Sequence, residues 1–356
     1  MIMKRITIII FSVLFIAIIL FGCKDQEVNN NLKFTDTIHI SGQDADIDAM
    51  GALNLKVIDS ILIVSTKKKV GFWSFYDLKS KRHLGDFLNK GNSNSEFLGS
   101  PLAGRQHFER DENGDLISLV YDFSKGGLKK FNITKSLNSQ RSEVELTDIQ
   151  LPRNIFSWTM LHSGEFLISE PDMSHAFENR SIFSNNKKKV LPTSYLFDNL
   201  KISSKGDIND VGTIISSHPS KDMVVECGKK LNKIYLYNID GSFVKEISID
   251  EEVPVSIEAL ERVGKRNKKD CFRDLECTEN YFCVLFSGNN QRQKTKKGNN
   301  SKIYIFSWMG EPITCIYLDR VVTSFSFDWK NKKLYTLNYN TEEIVEYDVS
   351  SVNISI

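Results

Sequence analysis

The sequence predicts an all-β chain folded as a six-bladed β-propeller, on three observations. A short apolar strand recurs six times, starting at Ile61, Leu116, Phe166, Met223, Tyr281 and Leu334, at intervals of 55, 50, 57, 58 and 53 residues. In most copies a second strand follows and reads apolar-x-apolar-x: Phe72–Asp77, Leu128–Asn132, Lys233–Asn238, Lys302–Ser307 and Ile344–Asp348. Gly, Asn, Asp and Lys stand between the strands, and helical patterning is scarce. Short strands bounded by turn residues and repeated at a long, steady period describe an array of blades. A single four-stranded sheet cannot bury both faces, whereas several packed face to face around an axis can.

Taken in order, Thr37–Ile40 (TIHI) is expected to complete the last blade and so close the ring between the chain ends. The fourth and fifth copies are the clearest. KIYLYNID-GS-FVKEISID carries Asp240-Gly241, a strong hairpin signal, and KIYIFSWM-GE-PITCIYLD repeats the layout from Lys302 to Asp319. The second and third copies are degraded, with little alternation over His175–Asn186. Helix is expected only near Glu258–Lys268 and Asp46–Leu53. The triplets Lys67-Lys68-Lys69 and Lys187-Lys188-Lys189 each lie between apolar runs and read as solvated hairpin tips, as does the long polar stretch Ser287–Ser301.

The N-terminus follows a different pattern. A basic start, Met1–Arg5, leads into the run Ile6–Phe21, apolar apart from Thr7 and Ser12, then Gly22-Cys23 and a charged stretch from Lys24. Sixteen residues are fewer than the roughly 20 that span a bilayer. The pattern resembles a bacterial lipoprotein signal whose lipobox is Leu20-Phe21-Gly22-Cys23, although Phe21 is larger than the residue usual there. The resemblance implies cleavage before Cys23, a diacylglyceryl group on its sulfur and stable attachment to a membrane through more than one acyl chain. The expected organisation is a signal over 1–22, a flexible tether over 23–34 and the propeller over 35–356. An aspartate after the acylated cysteine is the mark of inner-membrane retention. Lys24 in that place implies an outer-membrane lipoprotein, periplasmic or surface-exposed.

Forty-six basic and 45 acidic residues leave a formal net charge of +1, so no global field draws the chain to nucleic acid. Aromatics at 11%, 23 of them Phe, suit strands packed face to face. Besides Cys23 there are five cysteines, Cys227, Cys271, Cys277, Cys283 and Cys315, an odd number without CxxC spacing. Cys227 and Cys283 sit within apolar strands, where a thiol acts as a small hydrophobe. In an oxidising compartment proximity alone admits a Cys271–Cys277 disulfide.

The stretch Asp86–Phe97 (DFLNKGNSNSEF) is similar to the GxGPxEF segment of TolB-like six-bladed propeller lipoproteins. Gly91, Glu96 and Phe97 match it, and Ser93-Asn94 replace its central Gly-Pro. With the strand pattern and period, the likeness extends from Leu32 to the C-terminus. It implies a fold and an envelope address, but no chemistry and no cofactor. On their own terms, Gly91 and Asn92 suit a tight turn needing φ > 0, Glu96 is placed to cap loop amides, and Phe97 to pin the loop to the core.

No P-loop, dinucleotide fingerprint, HExxH, EF-hand loop or nucleophile elbow is present, and the six histidines are dispersed. No catalytic, metal-binding or cofactor-binding residue is therefore assigned. The expected function is a lipid-anchored, non-catalytic binding module for a protein, peptide or glycan. The alternative is a metal-dependent, lactonase-like hydrolase or lyase, which would draw ligands toward the axis from strand starts such as Glu170, Asp172, Glu226 and Asn280.

Overall fold

The computed structural model describes residues 31–352, apart from 173–176, 201, 203–206, 250, 291–292 and 294–299. Cys23, with the whole signal, and most of the polar tip of Ser287–Ser301 lie outside the described residues.

Six sheets follow one another along the chain as six blades, each built on four consecutive or ring-closing antiparallel strands. Their innermost strands are Ala52–Ile58, His107–Arg110, Ser157–Met160, Thr213–Ser217, Phe272–Cys277 and Ser324–Asp328. The recurring apolar run of the sequence is the second strand of every blade: Ile61–Thr66, Leu116–Tyr121, Phe166–Asp172, Met223–Gly228, Tyr281–Phe286 and Lys333–Asn338. These strands read as continuous apolar runs because a neighbouring blade covers each face. Val224 packs toward blade 3 and Val225 toward blade 5; Cys283 packs toward blade 6 and Val284 toward blade 4. Six apolar clusters result, one at each interface between adjacent blades.

Ring closure corrects the expectation for Thr37–Ile40. That strand adds parallel to the outer strand of blade 5, Pro312–Leu318, pairing Thr37 with Cys315 and Ile40 with Leu318. Blade 6 is completed instead by Gln43–Asp44, antiparallel to Glu343–Asp348. Ile38 and Ile40 find apolar cover against the cluster between blades 5 and 6, whereas the last edge needs only two polar residues. The crossing is made at Gly42, where a Cβ would overlap Val345 and the Tyr347 ring. Its amide donates to Asp319 Oδ2 (3.3 Å), its carbonyl accepts from Arg320 Nη2 (3.2 Å), and Tyr347 donates to Asp319 Oδ1 (2.9 Å).

Four local expectations also change. Asp46–Leu53 contains no helix: Ala45, Ile47 and Ala49 are buried at a period of two, and Gly51 at φ +77° turns the chain into the first strand of blade 1. The helix expected at Glu258–Lys268 is one short stretch, Ile257–Glu261, capped by Ser256. A helix not foreseen, Ile133–Ser139, fills the last turn of blade 2, with the Asn132 side chain accepting from the Lys135 amide. The degraded third copy forms a full strand, Phe177–Ser184, and Lys187–Val190 pairs with it as the exposed edge of blade 3 rather than as a hairpin tip. Lysines on an edge strand discourage pairing with other chains.

Candidate functional site: the central channel

The inner strands of five blades surround an open channel instead of a packed centre, and line it with polar and large apolar side chains together. A cavity of about 520 Å³ is lined by residues of blades 1 to 5. It extends from the turn Gly104–Gln106, in the connection between blades 1 and 2, to His162, His218 and Pro219 at the opposite end. Trp158 and Phe108 supply aromatic wall. Thr159 and Ser217, 2.9 Å apart, join blades 3 and 4 along it. Lys56 of blade 1 and Glu276 of blade 5 form an ion pair at 3.3 Å, and His107 meets Glu109 at 3.2 Å. Both signs of charge, hydroxyls and aromatic faces therefore line one space.

The connection end of the channel is strapped. Gly104 donates to Asn54 Oδ1 (2.5 Å), Asn54 to Ser324 Oγ (2.8 Å), and Ser324 to Asp274 Oδ2 (2.7 Å). Arg105 then reaches the opposite blade, with Nη2 donating to the Arg273 carbonyl (2.8 Å) and lying 3.5 Å from Asp274 Oδ1. Asn54, Asp274 and Ser324 are buried, and each satisfies its polar atoms through this network.

Reactive groups near the cavity are muted. Burial pushes the Cys277 thiol up to about 12, so it stays protonated. Burial lowers the pKa of His218, whose Nδ1 accepts from the Ser220 amide at 3.0 Å while the ring lies against Trp308. Among the described residues, no group of three or more His, Cys, Asp or Glu side chains is placed to hold a metal ion, and no helix is long and apolar enough to cross a membrane.

The family model for TolB-like six-bladed propellers matches residues 52–330. The chain belongs to the TolB-like propeller family. No curated protein matches the sequence. Among solved structures it is similar to Raptor of Chaetomium thermophilum, at 11% identity and TM-score 0.45, over 95% of this chain and 31% of that one. It is also similar to hydrazine synthase of Kuenenia stuttgartiensis, at 11% identity and TM-score 0.45, over 93% and 81%. A quinonprotein alcohol dehydrogenase-like protein of Bacteroides thetaiotaomicron is 13% identical with TM-score 0.36, over 74% and 54%. The chain thus spans about a third of Raptor and about half of the dehydrogenase-like protein.

The TolB-like loop motif lies in the connection from blade 1 to blade 2, away from the channel lining. The Gly91 amide donates to the Phe97 carbonyl (3.0 Å) and the Phe97 amide to the Asn89 carbonyl (2.9 Å), while the Phe97 ring is fully buried. Glu96 Oε2 accepts from the Ser93 amide (2.9 Å), a bond that holds its carboxyl below the usual range. Lys125 Nζ donates to the carbonyls of Gly91, Ser93 and Glu96 at 2.9–3.0 Å, and Lys129 Nζ also reaches the Glu96 carbonyl. Neither Gly91 nor Asn92 has positive φ. Glycine stands at 91 because the Glu96 carboxylate occupies the space a Cβ would take.

Residues proposed as lactonase-like metal ligands are not brought together. Glu170 lies in the second strand of blade 3 and pairs with Lys188 (2.7 Å), and Asp172 ends the same strand. Asn280 sits in a turn of blade 5. Glu226 is buried between blades 3 and 4, where Oε1 accepts from Arg180 Nε (2.9 Å) and Nη2 (2.7 Å), from Thr213 as well, and Oε2 accepts from Tyr237 (3.3 Å). Arg180 also donates to the Glu178 carbonyl (2.5 Å) and stacks on Phe197, 4.0 Å from the ring centre. This knot was invisible in sequence, since Arg180 and Glu226 stand 46 residues apart in different blades.

All five described cysteines are free. The Cys271–Cys277 disulfide does not form. Cys271 immediately precedes and Cys277 ends the same extended strand, Phe272–Cys277, which holds the two apart.

Proposed function

We propose that this TolB-like propeller is an envelope-tethered, non-catalytic binding module that takes a segment of peptide or glycan into its central channel. The observation that carries the reading is the cavity itself: about 520 Å³, furnished by five blades with aromatic faces, hydroxyls and both signs of charge. Such lining suits a ligand with one apolar face and many hydrogen-bonding groups. Attachment belongs to the same proposal, with Cys23 carrying the lipid and the outer membrane as the address.

Arrays of peptides and envelope glycans probed with the full chain test the first part. A binder is expected whose affinity falls about tenfold or more in Trp158→Ala, with the circular dichroism unchanged. Metal-dependent turnover of lactones, or binding indifferent to Trp158→Ala and Lys56→Met, overturns it. For the second part, Cys23→Ser is expected to abolish acylation and processing. Normal membrane retention of that variant overturns the lipid anchor.

A further inference from the structure

The two ends of the propeller differ in what they expose. Ten large apolar side chains are markedly exposed among the described residues, and seven of them lie between strands at the connection end: Met50, Val70, Leu98, Leu102, Phe123 and Val255 in loops and Tyr195 in the short 3-10 helix Ser194–Leu200. In the turns of the opposite end stands Met309; Leu146 and Val190 end outer strands.

Four of the seven form an arc across adjoining loops. The Lys67 amide donates to the Gly51 carbonyl (2.9 Å), joining the loops of Met50 and Val70. The Lys90 amide donates to the Lys69 carbonyl (3.1 Å), bringing in the loop of Leu98, and the ammonium of Lys125 ties that loop to the loop of Phe123. Met50 is 70% and Val70 73% exposed, so each projects from its tip. Beside them, Lys67, Lys69 and Lys90 are exposed and their ammonium groups have no partner among the described residues. Nearby carboxylates accept hydrogen bonds and keep their charge: Glu342 from the Gly51 amide, Glu96 from that of Ser93, and Asp86 from Ser74. Asp44, Asp46, Asp48, Asp86 and Glu342 are exposed opposing charges around the arc, so the lysines act at the tips themselves rather than through a net basic face.

We infer that the connection end, led by the Met50–Val70–Leu98–Phe123 arc, docks onto the headgroup region of an acidic phospholipid surface. Single apolar side chains on separate convex tips, collared by lysine, match a fluid interface that closes around each tip. A protein partner calls for a contiguous apolar patch with a packed centre, which separate tips do not offer. On the anchor reading, the nine residue steps from Cys23 to Leu32 span at most about 30 Å, which keeps the propeller at the bilayer. The strapped end of the channel then faces the lipid, and the end bearing His162 and Pro219 faces away.

The test uses the full chain, reconstituted in vesicles containing brominated phosphatidylglycerol, with Val70→Trp or Met309→Trp as the probe. Fluorescence of Val70→Trp is expected to be quenched beyond that of the unsubstituted chain, and Met309→Trp is not. Adding Lys67→Gln and Lys69→Gln is expected to weaken the contact about fivefold per lysine, as is typical near an anionic surface. Equal or absent quenching at the two positions overturns the inference. A chain that sediments with vesicles but shows no quenching at Val70 keeps its anchor and loses this docking. Shielding of Val70 in cells without quenching in vesicles also overturns it, in favour of a protein partner.

Discussion

Arg105, from the connection between blades 1 and 2, donates to the main-chain carbonyl of Arg273 on the opposite side of the ring, 2.8 Å away. Its second neighbour is the buried Asp274 carboxylate at 3.5 Å. Arg105→Met keeps the bulk of the side chain but removes both contacts. The expected cost is about 1–3 kcal/mol, with faster amide exchange at Gly104 and Phe325, read by thermal denaturation and hydrogen-exchange mass spectrometry.

A larger effect is expected between blades 3 and 4. Glu226 and Arg180 are both buried, and removing one partner leaves the other as an uncompensated charge. Arg180→Ala should lose about 3–5 kcal/mol, while Arg180→Met with Glu226→Gln should recover part of it. Chemical denaturation of the two variants checks the ordering.

Closure of the ring depends on the absence of a side chain at one position. Gly42→Ala places a methyl group against Val345 and Tyr347, both packed between blades 5 and 6. A loss of about 1–3 kcal/mol is expected, with proteolytic cleavage appearing first near the N-terminal strands.

The same junction carries a pH dependence. Burial pushes the Asp319 carboxyl up, but hydrogen bonds from Arg320 and Tyr347 outweigh it, and the net pKa is below the ordinary value. A carboxyl with a lowered folded-state pKa stabilises the fold above its unfolded pKa, and that contribution is lost as pH falls through the folded pKa. Closure should therefore hold at neutral pH and loosen only below the usual carboxylate range. In Asp319→Asn the loosening is present at every pH; amide exchange at Gly42 from pH 7 to pH 3 separates the two.

In the loop between blades 1 and 2, Gly91 and Glu96 compete for one space. Gly91→Ala alone should displace the Glu96 carboxylate from the Ser93 amide. Gly91→Ala in a Glu96→Ala background should then have little further effect, a coupling that a double-mutant cycle measures directly.

The number of blades was legible because the second strands are covered on both faces, which turns each into an unbroken apolar run such as Met223–Val225 or Tyr281–Phe286. Inner strands were not legible: Ser157–Met160 and Thr213–Ser217 are short and turn polar groups to the channel, so neither period nor composition marks them. The closing pair Gln43–Asp44 is too short to carry a pattern. Lys187–Val190 has the composition of a loop and forms a strand only because Phe177–Ser184 offers it an edge. Channel contacts such as Lys56 with Glu276 join residues from distant blades, and only the closed ring brings them together.

The five free thiols bear on how this molecule can be handled and watched. No covalent crosslink joins the described residues, so the native ring asks for no oxidant to assemble and tolerates a reducing buffer. Cys227, Cys271, Cys277 and Cys315 gather between blades 4 and 5, and Cys283 lies between blades 5 and 6. An alkylating reagent therefore acts as a clock on this sector of the ring: Cys227, Cys271 and Cys315 time the parting of blades 4 and 5, and Cys283 that of blades 5 and 6, while Cys277, half-buried at the channel wall, is reached without either.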